Sequence, residues 1–235
     1  MKPTNAKLLP VLVATLCVGL TACNTSVNED IEVAPGDMPG GNSMTVNGDV
    51  NVAPGARAGE RSFRTVNGEI RLGDGSEVSD CATVNGTVEV GEGVRSGDLE
   101  TVNGNLRLGR DSQVEGHVKV VNGYVEVAPG ARVVRNIETV NGRIELHGAQ
   151  VGGDLRNVNG GMLVTAGSVV EGDLVVKDPG EDRLGKRPRI VIGPDSKVVG
   201  RLIFERPVEL FVHESAEIGT VEGAEAVRFT GDEPG

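Results

Sequence analysis

The tripeptide Val-Asn-Gly begins at residues 46, 66, 84, 102, 121, 140 and 158, and a degenerate Val-Asn-Glu begins at 27. Successive starts lie 19, 20, 18, 18, 19, 19 and 18 residues apart, so the repeat length is constant to within a residue. Self-similarity at this period marks a solenoid, in which each repeat buries its apolar face only against its neighbours.

Four residues after each valine stand Ile31, Val50, Ile70, Val88, Leu106, Val125, Ile144 and Met162. Two residues further on stand Val33, Val52, Leu72, Val90, Leu108, Val127, Leu146 and Val164. The residue between them is polar in the earlier repeats, as in Glu69-Ile70-Arg71-Leu72, and this period of two predicts a short strand with one buried face. Asn-Gly before the strand and Ala-Pro-Gly or Gly-Asp-Gly after it predict tight corners whose glycines supply positive φ. Gly and Pro recur too densely for helices. Strands this short bury their apolar face by pairing in parallel with the same strand one repeat away, which makes the chain an all-β, single-stranded parallel β-helix. Continuing the two columns through Ile190/Ile192, Leu210/Val212 and Val227/Phe229 gives about eleven rungs of roughly 17–20 residues over residues 27–230. The interval from Met162 to Ile190 is long, and the excess reads as an exposed loop inserted at 177–188, KDPGEDRLGKRP. Residues 231–235 form a tail. In-register stacking also predicts a structural ladder of side-chain amides through Asn47, Asn67, Asn85, Asn103, Asn122, Asn141 and Asn159, with Asn28 at its degenerate start.

The outward residue between the two columns reads Glu32, Asn51, Arg71, Glu89, Arg107, Glu126, Glu145, and then Leu163, Val191, Phe211. Opposite charges about 4.8 Å apart favour the register. The change to apolar residues marks Leu163, Val191 and Phe211 either as a strip covered by the insert or the tail, as solenoid ends require, or as an interface centred on Phe211.

Composition bounds the partners. A formal net charge of −11 without a dense basic patch argues against nucleic acid. The first 22 residues read as a removed signal peptide: Lys2 and Lys7 form the positive end, and Leu8 to Leu20 is an apolar run too short to span a bilayer. Leu20-Thr21-Ala22-Cys23 resembles a bacterial lipobox, which implies lipidation of Cys23, a lipidated linker at 23–26 and a lipid bilayer as partner. Asn24, not being Asp, resembles the outer-membrane sorting pattern. Cys81 is then the one cysteine left in the body, at a position where other repeats carry inward Leu99 and Leu155, and reads as a small buried hydrophobe.

Gly-Asp-Leu at 97–99, 153–155 and 172–174, the run Val125 to Val134, and Ile192-Gly-Pro-Asp-Ser-Lys-Val-Val-Gly-Arg-Leu202 resemble bactofilins, the polymer-forming cytoskeletal family of bacteria, over roughly residues 43–221. The resemblance implies a right-handed rather than left-handed β-helix, polymerisation without nucleotide, and a structural role. With the lipoprotein leader, the reading is an exported relative, lipid-anchored at the outer membrane, that self-associates or meets an envelope protein. Segment 192–198 also resembles the hexapeptide repeat of left-handed β-helix acyltransferases and carbonic anhydrases. Those use a histidine base or a three-histidine zinc site, whereas His147 and His213 lie three rungs apart and, with His117, read as solvated turn residues. Polysaccharide-cleaving β-helices need clustered carboxylates and stacking aromatics; outward neighbours such as Glu126 and Glu145 read as a charged solvent face, and one Tyr with no Trp is a poor sugar platform. The expectation is therefore a non-enzymatic structural or interaction protein with no metal and no cofactor. A carbohydrate-binding or carbohydrate-active envelope protein is the alternative.

Overall fold

The computed structural model describes residues 24–37, 41–180, 186–231 and 233–234. The leader, Cys23 and residues 181–185 of the insert lie outside the described residues. The described chain is a parallel β-solenoid with three faces. The first face stacks eleven strands, from Asn24–Ser26 through Leu99–Asn103 to Val221–Glu222. The second also stacks eleven, from Ile31–Val33 through Leu106–Leu108 to Ala226–Phe229, and the third stacks seven, from Arg95–Ser96 to Glu217–Ile218. Every strand pairs in parallel with its counterpart one rung away, as Leu106 does with Val88 below and Val125 above. The alternation read from the sequence is the second face; a first-face strand in every rung and a third-face strand in seven of them complete the turn.

Side chains alternate in and out on each face. Val50, Ile70, Val88, Leu106, Val125 and Ile144 form one fully buried column. Leu99, Val118, Ile137, Leu155 and Leu174 form another on the first face, and Val114, Val133, Val151, Val170 and Val198 one on the third. Full burial of each such side chain contributes about 1.5–3 kcal/mol, and a rung alone could bury none of them. Cys81 belongs to the first-face column between Phe63 and Leu99. It is 1 % exposed, and burial, reinforced by the Asp80 charge, pushes its thiol up to about 12.

The Val-Asn-Gly corner joins the first face to the second, and its glycine serves a purpose other than the expected one. Only Gly123 and Gly160 among these glycines have positive φ, at 151° and 143°. The common constraint is proximity. A Cβ on Gly68 would stand 2.0 Å from the carbonyl oxygen of Gly48, one on Gly104 1.8 Å from that of Gly86, and one on Gly142 1.5 Å from that of Gly123. Left-handed conformations occur instead at the corner after the second-face strand, where Gly55, Gly75, Gly93, Asp111, Gly130 and Asp195 have φ between 54° and 78°. That corner is open at Gly55, Gly75 and Gly93, where a Cβ would meet nothing within 4 Å, while one on Gly130 would meet the Asp111 side chain. At the remaining corner, before the first face, the Asp of Gly-Asp-Leu accepts the backbone N–H of the rung above. His117 N–H reaches Asp98 Oδ1 at 2.7 Å, Asp173 N–H reaches Asp154 Oδ1 at 2.8 Å, and Arg201 N–H reaches Asp173 Oδ1 at 2.8 Å. The backbone N–H of Arg201, and then its guanidinium, hold the Asp173 carboxyl below the usual carboxylate range.

The last rung departs from the expected register. Ala226 and Arg228, not Val227 and Phe229, stand above Leu210 and Val212 in the two core columns, and Val227 stands above Phe211 on the outside. From the outward Glu222 to Ala226 the corner takes four residues, where Glu100 to Leu106 takes six. A slip of one residue exchanges the two sides of a strand, and this rung has no Asn-Gly to hold its length.

The two glycine roles separate by substitution. Gly104→Ala must displace the backbone of the rung below and is expected to cost about 3 kcal/mol or more, whereas Gly93→Ala meets only the left-handed penalty of about 1–2 kcal/mol. Denaturant unfolding of the two variants checks this, and equal costs would refute the proximity argument.

Candidate functional site

Three files of side chains run along the outside of the solenoid. The first follows the Val-Asn-Gly corner. Asn47 Nδ2 donates to Asn28 Oδ1 at 2.6 Å, and the bonds continue through Asn67 (2.8 Å), Asn85 (2.8 Å), Asn103 (2.9 Å), Asn122 (2.8 Å), Asn141 (2.8 Å) and Asn159 (3.0 Å), each donating to the Asn below. All the amides point the same way, so their dipoles add along the file. The Oδ1 at the C-terminal end of the series, on Asn159, accepts from Arg206 Nη1 at 2.9 Å. Beneath the corner a second series is buried. Thr65 Oγ1 donates to Gly48 O at 2.8 Å, Thr83 to Gly68 O at 3.0 Å and Thr101 to Gly86 O at 2.9 Å, and Asn157 Nδ2 does the same to Gly142 O at 2.9 Å. These bonds occupy the carbonyls that the glycines leave uncovered. The sequence carries their signal in the threonine before Val-Asn-Gly at 45, 65, 83 and 101, which the tripeptide alone omits, while Thr139 at the same position is buried with its hydroxyl unpartnered.

The outward file of the second face falls in one register, from Glu32 through Asn51, Arg71, Glu89, Arg107, Glu126 and Glu145 to Leu163, Val191, Phe211 and Val227. Arg107 bridges Glu89 at 3.2 Å and Glu126 at 3.7 Å, but Arg71 turns to Asp49 and Glu69. Arg107 and Arg143 lie against opposite rungs of Tyr124, with guanidinium carbons 5.1 and 5.7 Å from the ring centre. Glu145 is paired with Arg143 at 2.8 Å, so the outward carboxylates Glu126 and Glu145 both have a guanidinium partner. These pairs are part exposed and each is worth at most a few tenths of a kcal/mol.

The apolar end of this file is half-buried at Leu163, Val191 and Phe211, while Val227 is 56 % exposed. Glu233 and Pro234 of the tail line one groove together with Leu163 and Val191. Arg189 holds them there: its Nη2 donates to Pro234 O at 2.7 Å while its guanidinium lies 5.0 Å from the centre of the Phe211 ring.

The valines of Val-Asn-Gly make the third file. Val102 and Val121, for example, follow each other between paired Thr101–Val120 and Asn103–Asn122, and they point outward beside the charged row Glu100, Lys119, Glu138 and Arg156. Lys119 bridges Glu100 at 3.3 Å and Arg156 bridges Glu138 at 3.2 Å, so this row is neutralised along its own length.

The histidines do not converge, and His213 is not solvated. It is 9 % exposed, lies edge-on to Phe229 with ring centres 5.1 Å apart, and its Nδ1 is 2.8 Å from Ser215 Oγ. Its place near the open end of the stack explains the burial, because Phe229 in the last rung covers it. Among the described residues no three His, Cys, Asp or Glu side chains come together as a metal site would require.

Comparison with protein-family models, with curated proteins and with solved structures gave no match. What the chain is similar to therefore rests on its own motifs and on the solenoid they build.

The amide ladder has a graded consequence. Asn103→Ala breaks two ladder bonds and Asn28→Ala breaks one, at the frayed end. Thermal or urea unfolding is expected to show a loss of about 1 kcal/mol for the former and less than half of that for the latter, since exposed amides recover bonds with water.

Proposed function

We propose that this protein is a non-enzymatic structural or interaction module: a stiff solenoid rod, tethered by lipid on Cys23 in the bacterial envelope, that associates with further copies of itself or with an envelope protein. The observation that carries this reading is the outward file of the second face, which is polar or charged for seven rungs and then apolar for four. An apolar strip in register on consecutive rungs is about 14 Å long at a spacing of about 4.8 Å, long enough to seat a complementary strip. The solenoid supports the same reading from its ends. Among the described residues the strands Asn24–Ser26 and Ala226–Phe229 are each the last of a stack with one partner strand, so their other edges offer backbone groups to a further strand. The bactofilin-like motifs favour self-association over a distinct partner. The lipobox-like Leu20-Thr21-Ala22-Cys23 and Asn24 favour the outer membrane.

A carbohydrate-binding role is the second reading. It is favoured by the shallow groove along the N-terminal half of the second face, where Glu32, Asn51, Arg71, Glu89, Arg107 and Glu126 stand in a row suited to sugar hydroxyls. Binding to a glycan array by the purified protein, lost on Arg107→Ala, would favour this second reading over the first.

Two experiments test the main proposal. Cys23→Ser is expected to abolish incorporation of labelled palmitate and to move the protein out of the membrane fraction; retention in that fraction refutes the tether. Phe211→Asp is expected to convert assemblies to monomers in analytical ultracentrifugation, with the melting temperature changed by no more than about 2 °C. A lowered melting temperature with unchanged assembly size would instead assign Phe211 to the seat of the tail.

A further inference from the structure

The corner file breaks at one place. The registers that pair Asn157 with Val176, and Val176 with Phe204, put Asp178 and then Arg206 in line above Asn159. At the level of Asp178 the chain leaves the corner as the insert, and it returns through Lys186–Arg189 to the strand Arg189–Ile192. Arg206 spans the gap, reaching back two rungs, about 9.6 Å, to the Oδ1 of Asn159. Between the returning chain and the corner lies a cavity whose walls include Asn159, Gly160, Lys186, Arg187, Arg189 and Arg206.

Its chemistry is unlike the rest of the surface. In a chain of net charge −11, four of the residues lining this cavity are cationic and none of the described ones is a carboxylate. Arg189 is committed elsewhere, to Pro234 O and the Phe211 ring. Lys186 and Arg187 are exposed at the rim, and Arg206 is only 5 % exposed. The acceptors of Arg206 are neutral: Asn159 Oδ1 at 2.9 Å, Val158 O at 3.4 Å and Lys186 O at 3.5 Å. Its Nε is buried with no hydrogen-bond partner. The carboxylate next in sequence, Glu205, is held by Lys177 at 2.7 Å and by the N–H of Asp178. A buried guanidinium is costly unless an anion compensates it, and two further cations at the rim add repulsion that an anion would relieve.

We propose that this cavity is an oxyanion site that takes a phosphate group, either as the free ion or as the terminal phosphoryl group of a larger molecule. A tetrahedral dianion matches the donors available: a planar guanidinium that is least exposed, and an ammonium and a second guanidinium at the rim that close over the remaining oxygens. The carbonyl-type Oδ1 of Asn159 keeps one face of Arg206 fixed, so the guanidinium is held in place before any ligand arrives. The insert, on this assignment, is the device that interrupts the ladder and carries two of the three cations to the gap.

Isothermal titration of the purified full chain with inorganic phosphate and, separately, with glycerol 3-phosphate tests the site, with ionic strength matched by sodium chloride. Saturable binding of both assigns a phosphoryl-group site, and binding of inorganic phosphate alone assigns a free-ion site. The double variant Lys186→Ser/Arg187→Ser leaves the Arg206–Asn159 contact in place and is expected to weaken binding at least about tenfold with its melting temperature in ligand-free buffer unchanged. Arg206→Met is expected to abolish binding and also to lower the melting temperature, because the end of the ladder loses its donor. Saturating phosphate is expected to raise the melting temperature of the wild type but not of the double variant. Absence of saturable binding by either ligand, or wild-type affinity in the double variant, overturns the proposal and leaves Arg206 as a ladder cap alone.

Discussion

Everything in this molecule depends on how closely one Val-Asn-Gly corner sits on the next. The glycine carbonyl of each rung occupies the space that a Cβ on the glycine above would need, at 2.0 Å or less throughout the series from Gly48 to Gly160. That approach sets several things at once. It brings the threonine hydroxyls within reach of the buried carbonyls, puts the asparagine amides at hydrogen-bonding distance outside the corner, and holds the parallel strands on either side in register. Each of these bonds is worth only about 1 kcal/mol net, but all of them require the same rise per rung, so they reinforce one another. A repeat that deviated in length would lose the set together.

A stack of this kind has no natural end, and both of the places where it changes are handled by residues that do not repeat. At the insert the amide ladder stops, and its oxygen-bearing end is met by the Arg206 cation, an arrangement with the same sense as a positive side chain at the carbonyl end of a helix. At the last rung the columns run out: among the described residues no further strand pairs with Ala226–Phe229, and Phe229 closes over His213. Near that end the outward file turns apolar, and the tail is drawn across part of it by Arg189. The N-terminal half is chemically uniform along its length, and the C-terminal third holds most of what is distinctive. The proposed association surface and the proposed oxyanion site both lie there, on adjacent sides of the insert.

Much of this was legible in the spacing of Val-Asn-Gly. When a strand pairs in parallel with its own repeat, the distance between motifs states the pairing directly, so the partners of Ile70, Leu106 or Ile144 and the order of the outward file from Glu32 to Phe211 could be read without coordinates. Polar and apolar alternation did the rest, because a period of two allows only one face of a strand to be buried. The reason for the glycine was not legible. Asn-Gly in sequence suggests a conformation, whereas crowding by the rung below is a property of two repeats together. The burial of His213 was hidden for a related reason, since it depends on Phe229 in a rung whose corner is shortened.

The sequence by itself therefore determined the periodic part of this protein: the all-β solenoid, the repeat length, the core columns of the second face and the in-line asparagines. Each is a statement about a residue and its equivalent one repeat away, and such contacts are written in the chain as spacing. The tertiary structure alone decided the aperiodic part. The slipped register of the last rung, the seating of Pro234 on Arg189 and the reach of Arg206 to Asn159 join residues with no equivalent in the neighbouring repeats. No spacing encodes a contact that is made only once, and it is the folded chain that brings those residues within bonding distance.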